Sequence, residues 1–288
     1  MHKNRLIIIT AFVVSLGIGI AWAVHRPGAD GAGAPPFTAM TCNVGDVGRL
    51  GFPVVETAAQ ITAGGKPDIL FLQEMPSGKA GGALQETLEY PYQSAPALRR
   101  GKMAGLIVLS VYPIRDTREY PLLTHGKGAG ALCAVVDIGS KNVTACSVHL
   151  DEVTPKKRDS GGVVAFTGRE ILEILRGEVF TDTVRTESAH SLVKALAKDA
   201  VSMPVIIGGD FNTVPGSRTI RQMTDHFQDA LWPTFGYFTG TYHKIAFPVN
   251  PRIDYIFVSD GVAVLDAKVV KKSAGDHYPV TATLRLKS

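Results

Sequence analysis

The chain has 288 residues, 45% of them hydrophobic, enough to bury a large core in one domain or two. A net charge of +4 is mild for this length: it admits an acidic substrate but does not argue for a nucleic-acid binder, whose basic residues concentrate on one face. Three cysteines are too few for a disulfide framework, and the sequence has no internal repeat.

Lys3 and Arg5 precede Leu6–Val24, nineteen residues without a charge. This stretch reads as a signal peptide or as an uncleaved membrane anchor. Ala21-Trp22-Ala23 resembles a cleavage site, whereas nineteen residues exceed the usual signal core and suffice to cross a bilayer. A buried core helix is the poorer reading, because a basic flank comes before the stretch and a Gly/Ala/Pro-rich tether, His25–Pro36, follows it. With Lys3 and Arg5 held inside, either of the first two readings exports the rest of the chain. The expected boundaries are therefore a leader or anchor over 1–24, a linker over 25–36 and a folded domain over 37–288.

Thr38–Val44 alternates like a strand and delivers Asn43 near its end. Pro53–Ala63 has helical spacing and stops at Gly64-Gly65, and Asp68–Glu74 is a buried strand ending in Gln73 and Glu74. Ala83–Tyr90 reads as a short helix. Arg99, Arg100 and Lys102 form a basic turn before the strand Gly105–Ser110; they are solvated or, beside a phosphodiester, hold a phosphate. Leu132–Ile138 and Asn142–Leu150 form a hairpin whose second arm sends out His149. Cys42, Cys133 and Cys146 all lie in apolar runs and read as small buried thiols, with a disulfide across the hairpin allowed but not required.

Asp151–Arg185 is a long irregular stretch, basic at Lys156-Lys157-Arg158. It is broken by a capping box, Thr167 to Glu170, that opens a helix expected to end at Gly177. Such a loop reads as a flap over or beside a site. Thr186–Ala200 is an amphipathic helix feeding the strand Val205–Asn212, VIIGGDFN. Strand alternation there would point Asp210 and Asn212 the same way, and an Asx-turn is the competing reading. Ser217 caps a short helix running to Asp225. In Arg252–Val258 the carboxylate of Asp254 interrupts an apolar strand and calls for a cation or a histidine as partner. Asp276 and His277 come just before the final strand, Val280–Leu286.

The series TCNV with Asn43, LQE with Glu74, SVHLD with His149, GGDFN with Asp210 and Asn212, RIDYIFVS with Asp254, and GDHYPV with Asp276 and His277 resembles the endonuclease/exonuclease/phosphatase superfamily. Deoxyribonuclease I is its best-known member. The resemblance runs from about Thr38 to the C-terminus, and it rests on the order and separation of the motifs, each of which is weak alone. It implies an α/β fold, a four-layer sandwich of two packed, mostly antiparallel sheets flanked by helices, with the site at one end. Carried onto these positions, it makes Glu74 the main metal ligand, with Asn43 and Asp276 near the ion. Asp210 and Asn212 orient water and the phosphoryl oxygens. Asp254 hydrogen-bonds His277, whose charged form stabilises the transition state or protonates the leaving oxygen. Either His277 or Asp210 takes the proton from water. His149 falls in the His-Leu motif shared with deoxyribonuclease I and neutral sphingomyelinases, which ranks abasic-site endonucleases low. Gly275 stands where the family usually has serine, and Val111 where many members have arginine, so one hydroxyl and one phosphate contact are missing.

The resemblance implies a phosphoesterase using Mg²⁺, with Mn²⁺ or Ca²⁺ as alternatives, and the N-terminal segment implies that it is exported. The expected substrate is a small or lipid phosphoester, its headgroup met at a membrane reached through the N-terminal segment. An extracellular or periplasmic nuclease acting on nucleic acid is the alternative, and a non-catalytic binding module on the same fold is the second.

Overall fold

The computed structural model describes residues 34–45, 54–75, 79–94, 105–125, 129–153, 167–243, 250–272 and 275–288. The expectations for the N-terminal segment and tether, for Arg99, Arg100 and Lys102, and for Lys156-Lys157-Arg158 fall outside these residues. Among the described residues no helix is long and apolar enough to cross a membrane.

Two sheets of six strands each carry the fold. Strand β1 (Phe37–Asn43) is followed by helix α1 (Val54–Thr62) and strand β2 (Ile69–Met75). A helix is needed between them because β1 and β2 run parallel, which a tight hairpin cannot connect. Helix α2 (Lys79–Leu88), the short strand β3 (Tyr92–Gln93) and β4 (Gly105–Ser110) complete this half. The second sheet starts with the meander β5 (Ile114–Leu122), β6 (Ala129–Ile138) and β7 (Lys141–His149). Helices α3 (Gly168–Phe180) and α4 (Val184–Asp199) then lead to β8 (Val205–Asp210), parallel to β7. Helix α5 (Arg218–Thr224), β9 (Gln228–Asp229) and β10 (Asp254–Val258) finish that sheet, and β11 (Val262–Val269) and β12 (Val280–Leu286) return to the first. The strand orders are β11-β12-β1-β2-β4-β3 and β5-β6-β7-β8-β10-β9. Every pairing is antiparallel except β1 with β2 and β7 with β8.

The sheets pack face to face through Phe37, Ile69, Phe71 and Val108 of one and Val136, Ile206 and Ile256 of the other. Helices α1 and α2 cover the outer face of the first sheet with Ala58, Ile61, Leu84 and Leu88, while α4 and α5 cover the second with Leu192, Leu196, Ile220 and Met223. Helix, sheet, sheet and helix make the four-layer α/β sandwich. Gly208 sits at the centre of the sheet-to-sheet contact: a Cβ there would lie 2.3 Å from the Phe71 ring, so only glycine lets that ring close over β8.

Three expectations need correction. Cys42 is a buried thiol, but Cys133 and Cys146 stand opposite each other on β6 and β7 and are joined as a disulfide. Residues 167–185 are not irregular. Helix α3 runs through Gly177 to Phe180, where the carbonyl of Gly177 takes the backbone and hydroxyl donors of Thr181, and α4 opens at once behind its N-cap Thr183. Two strands gave no recognisable pattern. β5 is a mostly solvated edge strand that contains Pro121, and β11 carries a bulge between Val264 and Asp266 that breaks its alternation.

Candidate active site

In an α/β sheet, groups gather at the carboxyl ends of parallel strands, where crossovers leave the edge open. Each sheet here has one parallel pair, and both pairs end at the same rim. β1 and β2 end at Asn43 opposite Gln73, and β7 and β8 end at His149 opposite Asp210. Asn43 spans the two sheets: its Nδ2 donates to Glu74 Oε1 at 3.2 Å and to Asp210 Oδ2 at 3.0 Å, while its Oδ1 accepts from the Gly45 backbone at 2.9 Å.

Glu74 is brought to the rim by an irregularity. The β2–β4 register slips between Leu72 and Met75, and Glu74 takes a left-handed φ of 52°. For a non-glycine residue this conformation costs about 1–2 kcal/mol, which the surrounding packing must offset. Gln73 points inward instead. It accepts from Thr41 and donates to Ser147, whose hydroxyl donates to the Leu72 carbonyl, so a buried polar seam links the two sheets beneath the site.

The expectation that strand alternation aligns Asp210 with Asn212 is replaced by the Asx-turn. β8 ends at Asp210, Asn212 has a left-handed φ of 52°, and its backbone N–H donates to Asp210 Oδ1 at 2.9 Å. The turn itself aims the amide: Asn212 Nδ2 donates to the Leu150 carbonyl at 3.0 Å and lies 3.1 Å from His149 Nε2. His149 Nε2 is also 3.6 Å from both Glu74 Oε1 and Asp210 Oδ2.

Asp254 stands opposite Asp210 in the β8–β10 register and finds its partner in a histidine: His277 Nδ1 donates to Asp254 Oδ2 at 2.9 Å. His277 Nε2 then faces Asp210 Oδ2 at 3.8 Å and Asp276 Oδ1 at 4.0 Å. Burial pulls the His277 imidazole towards its neutral form, but Asp254, then Asp210, outweigh it and hold the pKa well above the ordinary value. Asp210 is pushed up to about 8, by burial first and by Asp254 second, against the opposing pull of His277, the Asn212 N–H and Asn43. The buried cluster thus favours a protonated imidazole beside Asp254, and an Asp210 carboxyl that becomes a proton acceptor as pH rises towards its raised pKa.

A segment without any sequence signal fixes this geometry. The hydroxyl of Thr241, fully buried, accepts the backbone N–H groups of Ile253 at 3.0 Å and Asp254 at 3.1 Å, and its carbonyl accepts from Tyr278 at 2.7 Å. Tyr242 bridges His277 through the backbone with its ring 5.0 Å away. In sequence these residues lie in a Gly/Thr-rich run with neither helical nor strand period, so only the fold exposes their role.

Of the expected site residues, Asn43, Glu74, His149, Asp210, Asn212, Asp254, Asp276 and His277 are brought together at the rim by this network. A hard divalent cation fits the groups present. Glu74 Oε2 and Asn43 Oδ1 converge beside Gly45, where a Cβ would lie 2.7 and 3.2 Å from them, and no thiolate competes. A second donor set is Asp210, Asp254 and His277, whose ligand atoms lie within 4.8 Å of one another and where Asp254 Oδ1 has no hydrogen-bond partner among the described residues.

The chain belongs to the Endonuclease/Exonuclease/phosphatase family, whose model matches residues 52–277. No curated protein matches the sequence. Among solved structures, an endonuclease/exonuclease/phosphatase from Beutenbergia cavernae DSM 12333 is 21% identical, covering 88% of this chain and 72% of its own, with a TM-score of 0.61. Sphingomyelinase C from Streptomyces griseocarneus is 17% identical over 87% of this chain and 99% of its own, with a TM-score of 0.61. Truncated Caenorhabditis elegans TDP2 is 15% identical over 88% of this chain and 98% of its own, with a TM-score of 0.62.

Proposed function

We propose that this protein is an exported, divalent-metal-dependent phosphoesterase that hydrolyses a small or lipid phosphoester by attack of water on phosphorus. The observation that carries the reading is the Asp254–His277–Asp210 chain at the rim shared with Glu74 and Asn43. Glu74 would hold Mg²⁺ with Asn43 and Asp276 beside it, and the ion, when bound, supplies positive charge to the phosphoryl oxygens. Asp210 orients the water and accepts its proton. His277, kept charged by Asp254, stabilises negative charge on the oxygens of the pentacoordinate phosphorus or protonates the leaving oxygen. Asn212 and His149 line the side of the remaining phosphoryl oxygens without adding a carboxylate to repel them.

Two observations support export: the uncharged Leu6–Val24 behind Lys3 and Arg5, and the Cys133–Cys146 disulfide, which persists in oxidising compartments. Protease added to intact spheroplasts carrying the full chain is expected to digest the domain. Protection until lysis would contradict the orientation.

The substrate is tested by assaying the protein with Mg²⁺ against sphingomyelin vesicles, inositol phospholipids, duplex and single-stranded DNA, and RNA. Hydrolysis of a phospholipid is expected. Rapid metal-dependent DNA cleavage without lipid turnover would establish the nuclease instead, and no hydrolysis by folded, metal-loaded protein would favour the binding module.

A further inference from the structure

A pocket of about 320 Å³ opens beside the site, lined by Phe238, Thr239, Gly240, Asn250, Lys271 and Tyr278. Its position follows from register. β12 begins at Val280, which pairs with Thr41 near the end of β1 and with Val269 at the end of β11. Lys271 therefore leaves β11 at the same rim where Asn43 leaves β1, two strand positions away, or about 10 Å at the usual strand spacing. The pocket wall is continuous with the catalytic framework: Tyr278 directly follows His277, and Gly240 directly precedes Thr241, whose hydroxyl holds the Asp254 backbone.

The chemistry of the lining is specific. Lys271 makes no ion pair among the described residues, and the Asn250 amide and the Tyr278 hydroxyl have no hydrogen-bond partner among them, so three residues with unspent donors line one pocket. Tyr278 is held in place by its backbone bond to Thr241 and by stacking on His243, with ring centroids 4.3 Å apart. Phe238, also in the lining, leaves 64% of its surface exposed, a large ring with no core to enter. One cation and two neutral donors match an anion, and two aromatic walls match a flat or apolar group attached to it.

We infer that this pocket is a second subsite beside the catalytic rim, taking an anionic group borne on a flat or apolar part of the substrate. This rests on the phosphoesterase reading for its place in the reaction but not for its binding chemistry. The test is therefore one of binding, with phenyl phosphate titrated calorimetrically into the full chain in detergent with EDTA present, so that no metal ion draws the phosphate to Glu74. Wild-type protein is expected to bind. Lys271→Ala should weaken binding at least about tenfold, roughly 1.4 kcal/mol, and Phe238→Ala should weaken it as well, while His277→Ala keeps wild-type affinity. Both lining residues are exposed, and an unchanged melting temperature shows that their variants fold. The inference is overturned if wild-type protein does not bind phenyl phosphate, if Lys271→Ala binds as wild type does, or if His277→Ala rather than Lys271→Ala abolishes binding. None of these results touches turnover, and loss of the phosphoesterase reading would leave them unaltered.

Discussion

Replacing His277 by alanine is expected to lower turnover at least roughly a hundredfold, about 2.7 kcal/mol of transition-state stabilisation, with little change in KM. The variant removes the cation held between Asp254 and Asp210 in the buried cluster, so the loss falls on the charged transition state rather than on the ground state. Asp254→Asn separates charge from geometry. It keeps an oxygen for Nδ1 but removes the largest influence raising the His277 pKa, leaving burial to pull it down. The sign follows: in wild type the imidazolium survives well above the ordinary histidine pKa, so activity falls only when pH passes that raised value. In Asp254→Asn the alkaline limb of the pH–rate profile moves to lower pH. Near-wild-type turnover of His277→Ala on a verified substrate would remove His277 from the chemistry, and an unmoved alkaline limb in Asp254→Asn would detach the two residues functionally.

Glu74→Gln is expected to raise the Mg²⁺ concentration needed for half-maximal rate by about tenfold or more, since one anionic oxygen donor to a hard cation becomes neutral. Its neighbours stay: the glutamine carbonyl can still accept from Asn43, and the left-handed backbone of residue 74 does not depend on the charge. A rate titration against Mg²⁺, followed by Mn²⁺, reads the effect. An unchanged metal requirement would move the ion from Glu74 to the Asp210–Asp254–His277 set.

Much of the site was legible because each of its members ends or interrupts an apolar run. Asn43, Glu74, His149, Asp210 and Asp254 are polar where the burial of their strands forbids an idle polar group, and Asp254 announced its need for a partner before His277 was seen to meet it. The four layers could be expected from the resemblance, and the two long crossovers agree with them. What the sequence hid depends on contacts distant along the chain. Thr241 works through backbone groups of Ile253 and Asp254 that no periodicity connects to it. The left-handed turns at Glu74 and Asn212 aim side chains that ideal strands would send elsewhere. β5 and β11 escaped because a solvated edge and a bulge each erase the two-residue period. The disulfide needed the β6–β7 register, which sets Cys133 against Cys146 and turns two plausible buried thiols into one bond.

The central claim, water attack on phosphorus by this cluster, is tested most directly by a single turnover in ¹⁸O-labelled water on bis(4-nitrophenyl) phosphate with Mg²⁺, comparing wild type with Asp210→Asn. The account predicts that the label enters the 4-nitrophenyl phosphate and not the released 4-nitrophenol, and that Asp210→Asn lowers the rate by at least about a hundredfold. Label in the phenol, or an Asp210→Asn protein as fast as wild type, would contradict it.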